Sequence, residues 1–338
     1  DLHSFPTRRS SDLEPAVTRI SRRDALLLGA SLCIAGRAFA VGRVTRADFE
    51  RMTIIDGNSA IIEPDRQANP EDPPTDRLLR AVRESGLTAI SMTLGQGTDG
   101  DHFGTVIRKM AAYGEKIAAA PDVLTRVRTV ADIHAAKRSK RLGLIYNVQD
   151  TMLLGTDISR IAVLQRLGLR IVQLTYNRRN LVGDGALENQ DGGLSNFGRQ
   201  VVEELNRHRM VVDLSHGGPR LISQAIAASR LPPVISHSGC RALVDLPRNV
   251  RDEEMRALAD RGGVIGIYFM PFLSNQPPAT AADVFRHLEH AVNICGEDHV
   301  GIGTDGAVTP LELDEAARRA NRRSEEHTSE LQSQNRIS

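Results

Sequence analysis

Short apolar runs rich in β-branched residues recur along the chain and alternate with longer segments in which apolar residues repeat every three to four positions. The first pattern predicts β-strands and the second predicts amphipathic helices. Eight strands are predicted, at Met52–Asp56, Thr88–Thr93, Leu142–Val148, Arg170–Thr175, Met210–Leu214, Pro233–Ser236, Gly263–Phe269 and Val300–Gly303. The clearest helical patterns cover Asn196–His208, Pro219–Ser229, Asp252–Arg261 and Thr280–Cys295.

The alternation of strands and helices predicts an α/β fold with a parallel sheet, and eight βα units favour a closed (β/α)8 barrel of the TIM type. An open, doubly wound sheet is the main alternative. The chain has no glycine-rich dinucleotide fingerprint after the first strand, which counts against that alternative. Because little helical pattern follows the eighth strand, we expect the barrel to be truncated after it.

Six polar side chains fall at or just after the ends of predicted strands, where barrel enzymes carry their chemistry. They are Asn58, Gln149, Tyr176, His216, His237 and Asp305. A single histidine at a strand end is commonly a packing or capping residue. Two histidines on successive strands, with an aspartate after the last strand, favour a metal site or an acid–base site.

Composition narrows the class of protein but not its function. The 338 residues carry a formal net charge of +1, and 41% of them are hydrophobic. This balance is typical of a soluble globular protein and does not indicate nucleic acid as a partner. Three cysteines are too few for a disulfide scaffold. Whether Cys240 pairs with Cys295 is left open.

The N-terminal region predicts export. Ser21–Leu27 resembles a twin-arginine motif, and an apolar run and the small-x-small sequence Ala38–Ala40 follow it. The run is shorter than the roughly 20 apolar residues that span a bilayer. We therefore expect a signal peptide at residues 14–40, cleavage near Ala40, a periplasmic mature protein and no stable membrane span.

Both ends of the chain carry sequence of another kind. Residues 1–13 and 323–338 match translations of sequencing-adapter DNA. We expect neither segment to belong to the native protein. The barrel domain is then expected to cover residues 41–322, truncated at its C-terminus.

Several motifs in order between Met52 and Gly306 resemble the membrane (renal-type) dipeptidase family. They are Leu194–Arg199, Met210–His216, Val234–Leu243, Asp245–Val250, Gly262–Ile267 and Asp298–Asp305. The resemblance implies a (β/α) barrel with two bridged zinc ions that hydrolyses dipeptides. It implies that His216 and His237 bind zinc. It also implies that Asp305 acts in catalysis and that Arg241 contacts the substrate.

Part of the implied metal-ligand set is substituted. Asn58 and Ala60 stand where the family has a histidine and an aspartate, and Gln149 replaces a bridging glutamate. Tyr176 stands where the family has a substrate-contacting histidine. A neutral amide cannot offset the repulsion between two dications, and alanine has no donor atom. We therefore expect one zinc or other divalent ion rather than two.

The remaining donors favour a hydrolase with an impaired or mononuclear metal site. His216 and His237, with Asp305 and more weakly Gln149, are able to hold one ion and leave a position for water. Asp305 either binds this metal or acts as the general base. Arg241 is expected to anchor a substrate carboxylate or an oxyanion. The expected substrate is a dipeptide or a small peptide-like amide, and a homodimer is left open.

The substitutions also support a second hypothesis. Asn58, Ala60 and Gln149 alter one half of the metal site together, as expected if hydrolysis were no longer needed. The chain is then an inactive relative without metal that binds a small molecule or assists maturation in the periplasm. A third, weaker hypothesis is a metal-dependent tailoring step on a secreted peptide.

Overall fold

The structure, a computed structural model, describes residues 45–63, 72–95, 100–276 and 278–309. The chain divides into two compact units, residues 1–49 and 50–338. The first is described only from Thr45, whose hydroxyl bonds Asp48 at the start of helix α1 (Arg46–Arg51). The predicted signal peptide, both adapter-like ends and the chain after Thr309 lie outside the described residues.

The second unit is built on a parallel sheet. Its strands are β1 (Ile55–Ala60), β2 (Ala89–Thr93), β3 (Leu124–Arg126), β4 (Leu142–Val148), β5 (Leu169–Gln173), β6 (Val211–Asp213), β7 (Val234–Ser238), β8 (Val264–Ile267), β9 (Val300–Ile302) and β10 (Gly306–Ala307). In the described part of the chain their order is β10-β1-β2-β4-β5-β6-β7-β8-β9, and β3 pairs with the beginning of β4.

Helices connect most of the strands. They are α2 (Asp76–Ser85), α3 (His102–Ala119), α4 (Val130–Ser139), α5 (Arg160–Leu167), α6 (Asn196–Arg207), α7 (Pro219–Ala228), α8 (Asp252–Asp260) and α9 (Ala281–Cys295). The four predicted helices are confirmed with small shifts of their ends. In α6, the Ser195 side chain caps the N-terminus by accepting the Gly198 amide, and the apolar face, which includes Val201 and Leu205, is buried.

One chain segment joins the two edges of the sheet. β9 pairs with β8, and three residues later β10 pairs with β1 through Ser59–Gly306 and Ala60–Ala307. The sheet therefore curls into a TIM-like barrel, as the alternation of strands and helices predicted. Two short strands were not predicted, because three residues of β3 and two of β10 carry no measurable periodicity.

Glycines allow the strands around β7 to approach closely. A Cβ atom would lie 1.8 Å from the Ser236 carbonyl oxygen at Gly303, 2.1 Å at Gly266 and 2.8 Å at Gly57. Any side chain at Gly303 or Gly266 would therefore collide with the backbone of β7. The close approach brings the ends of β1, β7 and β9 together; Asn58 lies in β1, His237 lies in β7 and Asp305 follows β9.

The two faces of the strands differ in polarity. Leu144 and Tyr146 of β4 belong to the buried apolar core, whereas Asn147 bonds Asn58 of β1 and Ser91 and Thr93 of β2. The first strand was predicted from apolar residues at Met52–Asp56, but it lies at Ile55–Ala60. Its buried residues Asn58 and Ser59 are polar, so the apolar pattern did not extend over them. Among the described helices, none combines the length and apolar character needed to cross a bilayer. Cys240 and Cys295 are free thiols.

Candidate active site

Two histidine side chains converge at the C-terminal end of the barrel. His216 follows β6 and His237 lies in β7, so neighbouring parallel strands bring them together. The Nε2 atoms of His216 and His237 are 3.0 Å apart. Both side chains are buried, His237 completely. This confirms that the two predicted residues form one cluster.

The outward ring nitrogens also have partners. His216 Nδ1 lies 2.7 Å from Asn177 Oδ1, and His237 Nδ1 lies 2.7 Å from Ser236 Oγ. Tyr176 stacks on His216 with ring centroids 4.3 Å apart. Both imidazoles are therefore held on their outer edge and present Nε2 to the same point.

The backbone is strained at two residues of the site. His216 has a φ of 63° and Asp305 a φ of 57°, which is the left-handed region that favours glycine. Each such residue costs about 1 kcal/mol or more and persists only where its surroundings enforce it. The strain therefore marks both positions as functional candidates.

The electrostatic environment keeps both imidazoles neutral. Burial lowers the pKa of His216 and of His237 well below its usual value, and the nearby charge of Arg248 lowers both further. A neutral imidazole is the form that binds a metal ion. His237 Nε2 lies 4.0 Å from Asp305 Oδ1, and since the imidazole is neutral this contact is not an ion pair.

Asp305 follows β9 and faces both the histidines and β1. Its Oδ1 accepts a hydrogen bond of 2.7 Å from Asn58 Nδ2. Burial raises the pKa of Asp305 to about 6, while Arg248 and the Asn58 bond oppose that rise. A carboxyl group with a pKa near neutrality suits proton transfer.

An amide and hydroxyl network joins Asn58 and Gln149, two of the positions that the resemblance implies to be substituted. Asn58 Oδ1 accepts from Thr93 Oγ1 at 3.0 Å and from Gln149 Nε2 at 3.2 Å, and Gln149 Nε2 also donates to Thr93 Oγ1 at 2.9 Å. Asn147 joins the network through Thr93 and Ser91. Because donors surround Asn58 Oδ1, the Asn58 amide group points its NH2 toward Asp305.

The two imidazoles are close enough to share a metal ion. Two nitrogens that share a zinc ion at 2.0–2.1 Å lie within about 4 Å of each other, and the histidine pair meets this condition. In the described part of the chain, no group of three or more His, Cys, Asp or Glu residues could hold an ion. Asn58 and Gln149 bond each other, and Ala60 carries no donor. By this criterion Asp305 is not gathered with the two histidines into one ligand cluster.

The structure places two arginines near the residues that follow His237, and they have different surroundings. Arg241, expected to contact the substrate, bonds Asp245 through its Nε at 2.7 Å. The arginine whose charge acts on His216, His237, Tyr176 and Asp305 is Arg248, which is buried and donates to the His237 carbonyl oxygen at 3.2 Å. Arg248 forms no ion pair with any carboxylate among the described residues.

Sequence reasoning missed Arg248 because it lies eleven residues beyond His237, whereas Arg241 lies four beyond. The spacing of charges did not separate the two arginines, because Asp245 lies four residues after Arg241 and three before Arg248, and Asp252 lies four after Arg248. The amide network was easier to predict. Ser91 and Thr93 are two residues apart in β2, and Asn147 and Gln149 are two residues apart at the end of β4, so each pair faces one side of the sheet.

Comparison with known proteins adds the following. The family model described as membrane dipeptidase (peptidase family M19) matches residues 58–321. The dipeptidase tcpJ of Claviceps purpurea (strain 20.1) is 36% identical over 178 residues, which are 52% of this chain and 42% of that protein. The chain spans less than half the length of this relative and of the dipeptidase verJ of Clonostachys rogersoniana.

Two crystal structures share the fold. An amidohydrolase from Pseudomonas aeruginosa is 35% identical with a TM-score of 0.69, covering 77% of this chain and 75% of that one. A metallopeptidase from Rhodobacter sphaeroides, liganded with a phosphinate mimic of the dipeptide L-Ala-D-Ala, is 21% identical with a TM-score of 0.67, covering 81% and 93%. At that identity the second structure supports the fold alone.

Proposed function

The chain belongs to the membrane dipeptidase family, peptidase family M19, and on that premise we propose that it is a hydrolase of dipeptides or small peptide-like amides that uses one divalent metal ion. The observation that carries the proposal is the pair of buried, neutral imidazoles with Nε2 atoms 3.0 Å apart. Asp305 and Arg248 lie beside this pair. The likeness to an amidohydrolase at 35% identity supports the same reaction class.

His216 and His237 would hold the ion, zinc or another divalent metal. When bound, such an ion polarises a carbonyl group and lowers the pKa of a bound water to about 7. Asp305 is the general base: its carboxylate accepts a proton from the attacking water and returns it to the leaving amine. The bond from Asn58 keeps Asp305 Oδ1 fixed during this exchange.

Arg248 would bind negative charge of the substrate or of the tetrahedral intermediate. A buried guanidinium without an ion-pair partner among the described residues is costly, and an anion offsets that cost. Tyr176 contributes a face of the site through its stack on His216. The role expected for Arg241 thus passes to Arg248.

We further propose that the protein works in the periplasm. The twin-arginine-like motif and the cleavage sequence ending at Ala40 support export. This compartment suits a small peptide-like substrate that reaches the enzyme from outside the cytoplasm.

The test is a dipeptide panel assayed with purified protein before and after removal of metal with a chelator. We expect turnover that is lost on metal removal and restored by adding zinc. The Asp305→Asn variant should lose about 10²–10⁴-fold in kcat because the general base is gone. Turnover no higher than that of the metal-stripped sample, for every panel member, would end the proposal.

A second candidate function rests on the amide network. Asn58, Gln149 and Thr93 bond one another where the family carries metal ligands, and a closed network of this kind needs no ion. The alternative is a periplasmic relative without activity that binds a small molecule or assists maturation. Metal-free protein that binds no zinc and turns over no dipeptide would favour it.

A further inference from the structure

A cavity of about 330 Å³ lies at the carboxyl ends of β2 and β4. Thr93 and Gly95 line it at the end of β2, and Val148 and Asp150 line it at the end of β4. In a barrel this is the edge of the sheet where substrates bind. The volume is near the lower limit for small-molecule pockets, about 300 Å³, so the cavity suits one residue of a substrate rather than a long peptide.

Thr93 connects this cavity to the candidate active site. Thr93 Oγ1 donates to Asn58 Oδ1 at 3.0 Å, and Asn58 Nδ2 donates to Asp305 Oδ1 at 2.7 Å. The cavity wall is therefore two hydrogen bonds away from the proposed general base. Two extended residues span about 7 Å, so a dipeptide with its amide bond at Asp305 reaches the cavity with one of its residues.

Helix α3 lines the cavity with one stripe of its surface. His102, Thr105, Val106 and Lys109 are spaced three to four residues apart, which places them on one face of the helix. The face that a helix turns toward the core is normally apolar, yet three of these four side chains are polar. Such a face is expected where a helix borders a site for a polar ligand.

The two carboxylates that line the cavity already have partners. Asp150 is buried and accepts three hydrogen bonds, two from backbone amides and one from the Asn180 side chain. Asp101 caps α3 by accepting the Gly104 amide at 2.9 Å, and it lies 3.7 Å from Arg108. Groups within the protein therefore satisfy both negative charges.

The two basic side chains of the cavity differ in this respect. Neither the Lys109 ammonium nor the His102 ring donates a hydrogen bond or forms an ion pair with another residue in the part of the chain that the structure describes. Burial raises the pKa of Asp150, and the positive form of His102 opposes that rise. Because Lys109 is exposed whereas Asp150 is buried, the free donors lie at the outer end of the cavity. An anionic group bound there supplies the acceptor that these donors lack.

Building on the proposed dipeptide hydrolase, we propose that this cavity is the subsite for an acidic side chain of the substrate, with Lys109 and His102 as specificity-determining residues. Val106 and Leu153 are apolar parts of the wall and pack against the methylene groups of that side chain. Two methylene groups fill the cavity better than one, so glutamate is favoured over aspartate.

The sheet order indicates which residue of the dipeptide enters the cavity. Arg248 donates to the His237 carbonyl oxygen in β7, and β5 and β6 lie between β7 and the β4 side of the cavity. A dipeptide across the mouth of the barrel therefore places its terminal carboxylate at Arg248 and its amino-terminal side chain in the cavity. The substrate class is a dipeptide that begins with glutamate.

The first arm of the test compares kcat/KM for Glu-Ala and Gln-Ala, which have nearly the same shape and differ in side-chain charge. We expect the unmodified protein to prefer Glu-Ala by about tenfold or more, as for a hydrogen bond between charged groups. Lys109→Met should abolish this preference, and Lys109→Arg should retain it. Arg108→Met is the matched control, because it removes the same charge from a neighbouring position that does not line the cavity.

The second arm measures binding without turnover, by calorimetric titration of the same dipeptides into protein treated with a chelator. Glu-Ala should bind about tenfold more tightly than Gln-Ala. The charge reversal Lys109→Glu should make Lys-Ala the tighter ligand. Thermal unfolding verifies that each variant is folded, which we expect because Lys109 is an exposed helix residue.

The outcomes separate this subsite from the proposed function. If the protein turns over no dipeptide but binds Glu-Ala more tightly than Gln-Ala, the proposed function fails and the subsite stands. If it turns over and binds both dipeptides equally well, the hydrolase stands and the subsite is wrong. Equal effects of Lys109→Met and Arg108→Met would also overturn the subsite, because they would show a long-range effect of charge instead of a contact.

Discussion

Arg248 and Asp305 determine the electrostatics of the site at the scale of single residues. The Arg248 charge favours the neutral form of both histidines and the ionised form of Asp305, while burial drives the pKa of Asp305 up to about 6. The balance leaves neutral imidazoles, the form able to bind a metal ion, beside a carboxylate able to exchange a proton near neutral pH. This combination suits the proposed amide hydrolysis.

Replacing Arg248 should impair catalysis far more than replacing Arg241. In Arg248→Met we expect kcat/KM to fall by about 10²–10³-fold, because a preorganised charge in a buried site is lost. Arg241→Met is the matched control and should change kcat/KM by less than about threefold (0.6 kcal/mol), since Arg241 pairs with Asp245. Steady-state kinetics on one dipeptide, with thermal unfolding to verify folding, tests this. Equal losses in the two variants would contradict the role given to Arg248.

At the scale of elements, helix α9 supports the loop that follows His237. The Cys240 amide donates to His287 Nδ1 at 2.9 Å, and His287 Nε2 lies 3.1 Å from the Leu273 carbonyl oxygen. A neutral imidazole with its proton on Nε2 satisfies both contacts. Burial lowers the pKa of His287 to about 4.

Acid should therefore loosen this support. The folded-state pKa of about 4 lies below the usual 6.5, so the unfolded state binds more protons between these values. The stabilisation contributed by neutral His287 is complete above about pH 6.5, and at most about 3 kcal/mol of it is lost as the pH falls toward 4. Denaturant unfolding from pH 7 to pH 4 should show a smaller loss of unfolding free energy for His287→Gln than for the unmodified protein.

His134→Gln serves as the control for this comparison, because His134 is an exposed residue of α4. It should follow the pH dependence of the unmodified protein. If His287→Gln and His134→Gln lose the same unfolding free energy between pH 7 and pH 4, His287 is not the group responsible.

The packing of β7 against β9 leads to a second prediction at this scale. In Gly303→Ala the new Cβ would lie 1.8 Å from the Ser236 carbonyl oxygen, so β9 must move. We expect a loss of about 1–3 kcal/mol or more in unfolding free energy. Gly301→Ala, two residues earlier and within β9, meets its nearest atom at 4.0 Å and should be far milder. Equal unfolding midpoints for the two variants would refute the proposed crowding.

At the scale of the whole molecule, the barrel was predictable because its signal is repeated eight times along the chain. Hydrophobic periodicity records which face of each strand is buried, and it located eight of the ten described strands without any contact information. The location of the two histidines and Asp305 followed from the rule that parallel strands end at the same edge. β10 was not predicted, because its two residues are too few to show a periodic pattern. It is identified only by its pairing with β1.

The finer chemistry of the site was less predictable. The direction of the Asn58 amide depends on donors from β2 and β4, and the role of Arg248 depends on a loop that folds back over eleven residues. Neither of these contacts can be predicted from the spacing of residues along the chain. The family resemblance implies a carboxylate at Gln149 and an imidazole at Asn58, and the proposal of one ion rather than two rests on these implied substitutions.

The most direct test of that claim is the number of divalent ions per chain, measured by elemental analysis after zinc loading and removal of loosely bound metal. We predict about one ion per chain, and none after His237→Ala, because two imidazoles fit one ion. Two ions per chain would contradict the account, since Asn58, Ala60 and Gln149 would then not prevent a second site. No ion in the unmodified protein would contradict it equally and would favour a relative without metal.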